Sequence, residues 1–260
     1  MNYNYHCHTY LCSHAEPSPE EYIKTAIEGG IEYMGFSEHA PLKFENGKQS
    51  SYRLQVEDVE KYFGEIGALR EKYKDKIDIK IGYEMEYYAD YFERMLEDAI
   101  SAGAEYLILG QHFTEAEIHP TAAHSYKSTE DKEQLFKYVK AVIAAIKSGV
   151  FSYVAHPDIF NFFGDDELYK EEFRKICVAS RECDVPLEIN FLGIRTQRRY
   201  PNEMLVAIMG EEKCPVTFGF DAHGVVDAAD LKSLVTAEEL VKKYNLNYVG
   251  RPKIKSLRKN

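Results

Sequence analysis

Tyr3-Asn4-Tyr5-His6-Cys7-His8 opens the chain with a strand-like run that ends in two histidines one residue apart. Alternate residues of a strand leave the same face, so an HxH pair of this kind can put two imidazoles on one metal ion. The pattern of a strand candidate running into a chemically capable side chain recurs along the sequence. Candidate strands are residues 3–7, 33–37, 77–83, 106–109, 153–155, 186–189 and 216–219. Between them lie amphipathic stretches at 19–28, 56–73, 91–102, 131–147, 169–183, 202–209 and 228–244. Leu135, Tyr138, Val139, Val142, Ile143 and Ile146 fall at helical spacing, and Ser18-Pro19 reads as a helix start. A β–α alternation repeated in this way predicts a parallel sheet, because each return crossover needs a helix. Polar residues follow nearly every strand, not two or three of them, and this favours a closed barrel whose strand ends converge on one face.

The chain has 260 residues, close to the usual size of a one-domain α/β barrel, with no low-complexity tract, linker or short repeat. One domain over residues 1–260 is expected. No apolar run is long enough to span a bilayer, and residues 1–5 lead straight into polar, His-rich sequence without a basic-then-apolar leader. A cytoplasmic protein without a membrane partner is expected. The net charge of −11 argues against a nucleic-acid partner, which would call for a basic face. A small phosphorylated substrate stays open, since bound cations reverse the local field. Cys7, Cys12, Cys177, Cys183 and Cys214 form no CxxC pair, so reduced, mostly buried thiols are expected.

The candidate ligands sit one by one at the strand ends. After His6 and His8 come His14 in the next loop, His39 in Gly35-Phe36-Ser37-Glu38-His39, and Glu84 in Gly82-Tyr83-Glu84-Met85-Glu86. His112 follows in Gly110-Gln111-His112-Phe113, His156 in Ala155-His156-Pro157-Asp158, and Asp221 and His223 in Gly219-Phe220-Asp221-Ala222-His223. Any single histidine is more often a surface or satisfied core residue, but unrelated histidines have no reason to gather at strand ends. Together these side chains are too many for one ion and suit two or three divalent ions sharing a bridging carboxylate. Zinc is the first choice, with iron or manganese compatible with the same donors. Glu38 and Glu86 adjoin ligands and are expected to orient them. His119 and His124 fall in a long irregular stretch, 113–128, and are expected to be lid or surface residues; a second such stretch covers 41–52. Walker, GxGxxG, GxSxG and thiol-phosphatase patterns are absent.

The ordered set HxH, a later His, EH, GxE, QH, HPD and DxH resembles the PHP (polymerase and histidinol phosphatase) superfamily, from Met1 to about Leu231. The segments Val154-Ala155-His156-Pro157-Asp158 and Leu187-Glu188-Ile189-Asn190, with Gly193, Arg195 and Tyr200-Pro201, resemble its histidinol-phosphatase branch. Phe220 stands where family members commonly carry Ser. The resemblance implies a distorted (β/α)7 TIM-like barrel with three ions at the C-terminal ends of its strands. It places His6, His8, Glu84 and Asp221 on one ion, and Glu84 bridging to a second held with His112 and His156. His14, His39 and His223 would hold the third.

The expected activity is hydrolysis of a phosphomonoester, L-histidinol phosphate, by attack of a metal-bridging hydroxide, as in histidine biosynthesis. Asp221, His223 and His156 are the candidate catalytic residues. Arg195, as a two-toothed phosphate clamp, with Arg198 and Asn190, would bind substrate. Asp158, Glu115 or Glu117 would suit the substrate's amine. Alternatives are a PHP phosphoesterase acting on another small phosphate or on phosphotyrosine, a metal-dependent amidohydrolase, and a non-catalytic metal-binding regulatory module. The oligomeric state is left open.

Overall fold

The computed structural model describes residues 1–257, so the last three positions of the expected 1–260 domain lie outside the described residues. Strands and helices alternate along the chain. They are β1 (Tyr3–Asn4), α1 (Pro19–Glu28), β2 (Tyr33–His39), α2 (Val59–Tyr73), β3 (Asp78–Met85), α3 (Phe92–Ala102) and β4 (Tyr106–Leu109). Then come α4 (Lys132–Ser148), β5 (Phe151–Val154), α5 (Asp166–Cys183), β6 (Leu187–Asn190), α6 (Phe191–Arg195) and α7 (Glu203–Glu212). The last elements are β7 (Pro215–Gly219), α8 (Leu231–Tyr244) and β8 (Asn247–Tyr248).

The strands form one sheet in simple chain order, β1 to β8, every neighbouring pair parallel. The ring closes beyond the ends of β1 and β7, where Cys7 bridges Ala222. There the Ala222 N–H donates to His6 O at 3.1 Å and the His8 N–H to Ala222 O at 3.0 Å. This is the expected distorted α/β barrel. The strand β8, outside the seven candidates, pairs with the start of β7. Its Tyr248 hydroxyl lies 3.1 Å from that of Tyr3, which also meets Thr217 Oγ1 at 3.0 Å. β1 is shorter than expected because the Asn4 side chain accepts the His6 N–H at 3.1 Å, a local bond that takes the chain off the ladder.

The sequence reasons for these elements are local. β4 to β7 are buried at every position, as continuous apolar runs covered on both faces must be. Helices α4, α5 and α8 start on Asp131, Asp165 and Asp230, whose side chains accept first-turn N–H groups. Pro19 occupies the first turn of α1, while Ser18 makes no side-chain cap. A hydrophobic core from Cys7 to Leu257 holds sheet and helices together.

Candidate metal centre

All nine candidate ligands meet at the mouth of the barrel, next to a cleft of 570 Å³ whose lining includes His14, His39, Glu84, His112, His156, Asp221 and His223. Glu84, from β3, lies at the middle. His6 Nε2 stands 3.6 Å from both Glu84 Oε2 and Asp221 Oδ1, and His8 Nε2 stands 3.4 and 3.5 Å from the same atoms. On the other carboxylate oxygen, Oε1, lie His156 Nε2 at 2.7 Å and His112 Nε2 at 3.5 Å. His39 Nδ1 is 3.1 Å from Glu84 Oε2, and His14 Nε2 is 3.1 Å from His223 Nε2. His8, His39 and His223 can also point their donors at one position.

Apart from the His14–His223 pair, the contacts around Glu84 are not aligned as hydrogen bonds. His6 Nε2, His8 Nε2, His39 Nδ1 and both Glu84 oxygens are buried with no hydrogen-bond partner. Each such orphan costs on the order of 1–3 kcal/mol, so a cluster of them without another role is implausible on energetic grounds. A divalent ion supplies the missing partner. Tetrahedral bonds of about 2.0–2.1 Å hold ligand atoms roughly 3.3–3.4 Å apart, close to the spacings around Glu84 Oε2. The donor set therefore fits divalent metal ions.

Behind the donors stands a row of acids that fixes the rings. Glu188 Oε1 meets His6 Nδ1 at 2.8 Å, Glu38 Oε1 meets His8 Nδ1 at 3.4 Å, and Glu86 Oε1 meets His112 Nδ1 at 2.8 Å. With Nδ1 so engaged, Nε2 is the nitrogen left to face the centre. Burial alone would raise the Glu84 carboxyl, but His112, His6, His39 and His156 outweigh it and hold it well below the usual range. Burial likewise depresses His6, yet Glu188, Asp221 and Glu84 raise it well above an ordinary histidine. His8 goes the other way, down to about 4, through burial and the nearby His223.

Two ligands sit on left-handed backbone, His156 at φ 28° and Asp221 at φ 48°. Such conformations in residues other than glycine cost about 1–3 kcal/mol and persist only where neighbours enforce them. For His156 the enforcing group is Glu188, whose Oε2 accepts its N–H at 2.8 Å. For Asp221 it is Arg195, which donates to Phe220 O at 2.6 Å and Asp221 O at 2.5 Å.

The PHP domain family model matches residues 4–191. The chain belongs to the PHP family. This PHP chain is 26% identical over 226 residues to the Deinococcus radiodurans protein named "Probable histidinol-phosphatase", covering 84% of this chain and 85% of that one. It is 26% identical over 257 residues to the histidinol-phosphatase of Lactococcus lactis, covering 92% and 90%. The crystal structure of the Lactococcus lactis histidinol phosphate phosphatase, complexed with Zn, L-histidinol and phosphate, shares the fold. Its TM-score is 0.71 at 23% identity, covering 98% of this chain and 97% of that one.

Several residues of the PHP chain take places other than those expected. Arg195 is not among the cleft-lining residues: besides the two carbonyls, its Nε meets Asp227 Oδ1 at 3.2 Å, so all three of its nitrogens hold the turn that carries Asp221. Asn190 is buried, not substrate-facing. Its Oδ1 accepts the Gly193 N–H at 3.0 Å, and its Nδ2 donates to Glu188 Oε2 at 2.8 Å and Asp221 Oδ2 at 3.1 Å. Arg198 does line the cleft, its Nη1 2.8 Å from the Tyr200 hydroxyl and its guanidinium 5.2 Å from the Tyr126 ring centre.

None of the acids suggested for the substrate amine reaches the cleft. Glu115 pairs with Lys137 at 2.5 Å, Glu117 with Arg53 at 2.9 Å, and Asp158 is buried under the Asn202 N–H. Burial pushes the Asp158 carboxyl up to about 6. His119 stays in its loop beside Thr121, whereas His124, expected at lid or surface, lines the cleft with Tyr52, Tyr126 and Tyr200. In the sequence Glu188 is marked only as a lone carboxylate in the otherwise apolar run Pro186–Ile189; the structure makes it a positioning acid for His6 and His156. Tyr52 and Arg53 carried no comparable mark.

Proposed function

We propose that this PHP protein is a cytoplasmic metal-dependent phosphomonoesterase that hydrolyses L-histidinol phosphate to L-histidinol and phosphate, with residues 1–260 forming one domain. The observation that carries it is the set of orphaned donors around Glu84, built beside a cleft large enough for a small phosphomonoester. Relatives named histidinol-phosphatase, matched over most of their length, support the substrate. Phosphomonoesters hydrolyse very slowly unaided, so a large catalytic contribution is required. Divalent ions held there supply it by lowering the pKa of water and neutralising phosphoryl charge.

The residues divide the remaining work. His6, His8, Glu84 and Asp221 form one donor set, His112 and His156 with Glu84 a second, and His14, His39 and His223 a third. Arg198 is the cation placed to grip the phosphate, taking the role expected of Arg195. Tyr52, His124, Tyr126, Ile159 and Leu192 line the same cleft and would wall the leaving group. Asp221 Oδ1 lies 3.1 Å from His223 Nδ1, and this pair is suited to carry the proton the departing alkoxide takes up. Glu84, with imidazole nitrogens on both oxygens, would supply the bridging carboxylate, and no lysine lines the cleft among the described residues, which disfavours an amidohydrolase with a carboxylated lysine bridge.

His156→Ala and Asp221→Ala, each still folded by circular dichroism, are expected to lose at least about a thousandfold in phosphatase turnover, because each removes a ligand of the centre that would supply the catalysis. Wild-type turnover in either variant refutes the assignment. A screen of sugar phosphates, nucleotides and phosphotyrosine at equal enzyme concentration is expected to leave histidinol phosphate the preferred substrate.

A further inference from the structure

Arg53 closes the 41–52 loop and is 1% exposed, one of the largest fully buried side chains. A buried guanidinium is costly unless its donors are matched. Here Nη1 donates to Glu86 Oε2 at 2.5 Å and to Ala40 O at 3.0 Å, Nε to Glu117 Oε1 at 2.9 Å, and Nη2 to the Tyr88 hydroxyl at 3.3 Å. These partners lie on three separate stretches: the end of β2, the segment after β3, and the 113–128 loop.

What Arg53 grips is itself tied to the centre and to the cleft. Glu86 spends its other oxygen on His112 Nδ1 at 2.8 Å and on the Tyr52 hydroxyl at 3.0 Å. Glu117 Oε1 accepts the same Tyr52 hydroxyl at 3.0 Å and Ser50 Oγ at 3.1 Å. Tyr52 lines the cleft, with its ring edge-on to His39 and stacked on Phe113.

We propose that Arg53 is a positioning residue that locks His112 and the Tyr52 wall of the cleft into one rigid unit. The role rests on the metal-centre reading above. Through Glu86 it fixes the ring that presents Nε2 to Glu84, and through Glu117 it anchors the 113–128 loop. The two loops that read as lids are thereby pinned to the metal centre. Lysine could not replace it, because a point charge lacks the planar fork that meets two carboxylates, a carbonyl and a hydroxyl together.

Zinc affinities measured by competition with a chromophoric chelator test this in wild-type protein, Arg53→Lys and Glu117→Gln, with metal-free melting curves as the folding check. Arg53→Lys keeps the charge and is expected to weaken one ion about 10–100-fold, leaving the others unchanged. Glu117→Gln is expected to leave zinc affinity unchanged and raise KM for histidinol phosphate about tenfold at constant kcat, the effect of one lost charge-assisted hydrogen bond. Wild-type zinc affinities in a folded Arg53→Lys, or an unaltered KM in Glu117→Gln, overturn the positioning role. If Arg53→Lys does not fold, Glu117→Gln decides it. Wild-type protein that holds no zinc overturns the metal-centre reading itself, a result distinct from either.

Discussion

Both oxygens of Glu84 face imidazole nitrogens, Oε2 those of His6, His8 and His39, and Oε1 those of His112 and His156. Burial depresses His112 and His223, but Glu84 lifts the first and Asp221 the second above an ordinary histidine, as the carboxylates do for His6. Without metal these imidazoles keep protons to a pH above about 6.5, and an incoming ion must expel them. Zinc affinity is therefore expected to rise as pH climbs above 6.5, with protons released on binding. Calorimetric titration in buffers of different ionisation enthalpy measures both; a pH-independent affinity without proton release contradicts it. At this scale the histidines were legible because the chain has only nine and most of them follow directly on strands. Arg195, Asn190 and Arg53 were not, because an arginine that holds a turn and one that holds a phosphate look alike until their partners are seen.

At the scale of elements, close approach between strands makes room for the acids. A Cβ on Gly219 of β7 would fall 1.6 Å from Glu188 Oε1, and one on Gly110, just past β4, 2.0 Å from Glu84 Oε1. Gly219→Ala is expected to displace Glu188 from His6 and from the His156 N–H. About 1–3 kcal/mol of stability in urea and roughly 10–100-fold in zinc affinity should be lost. Wild-type values for both would show that Glu188 does not depend on that gap. Strands from β2 to β7 were legible because buried parallel strands read as apolar runs. The early end of β1 was not, because it depends on the Asn4 side chain, and β8 was not, because two residues carry no periodicity.

Across the whole molecule the ligands come from the ends of β1, β2, β3, β4, β5 and β7, so bound ions join parts of the barrel distant in sequence. Each ion at a thousandfold above its Kd adds about 4 kcal/mol to stability. Chelation is expected to lower the melting temperature reversibly, and an unchanged melting curve argues against ions at the barrel mouth. Phosphate release from L-histidinol phosphate, followed in the zinc-loaded and the chelated protein, tests the proposed chemistry most directly. Many turnovers that vanish on chelation and return with zinc are expected; a fully zinc-loaded protein that releases no phosphate contradicts it.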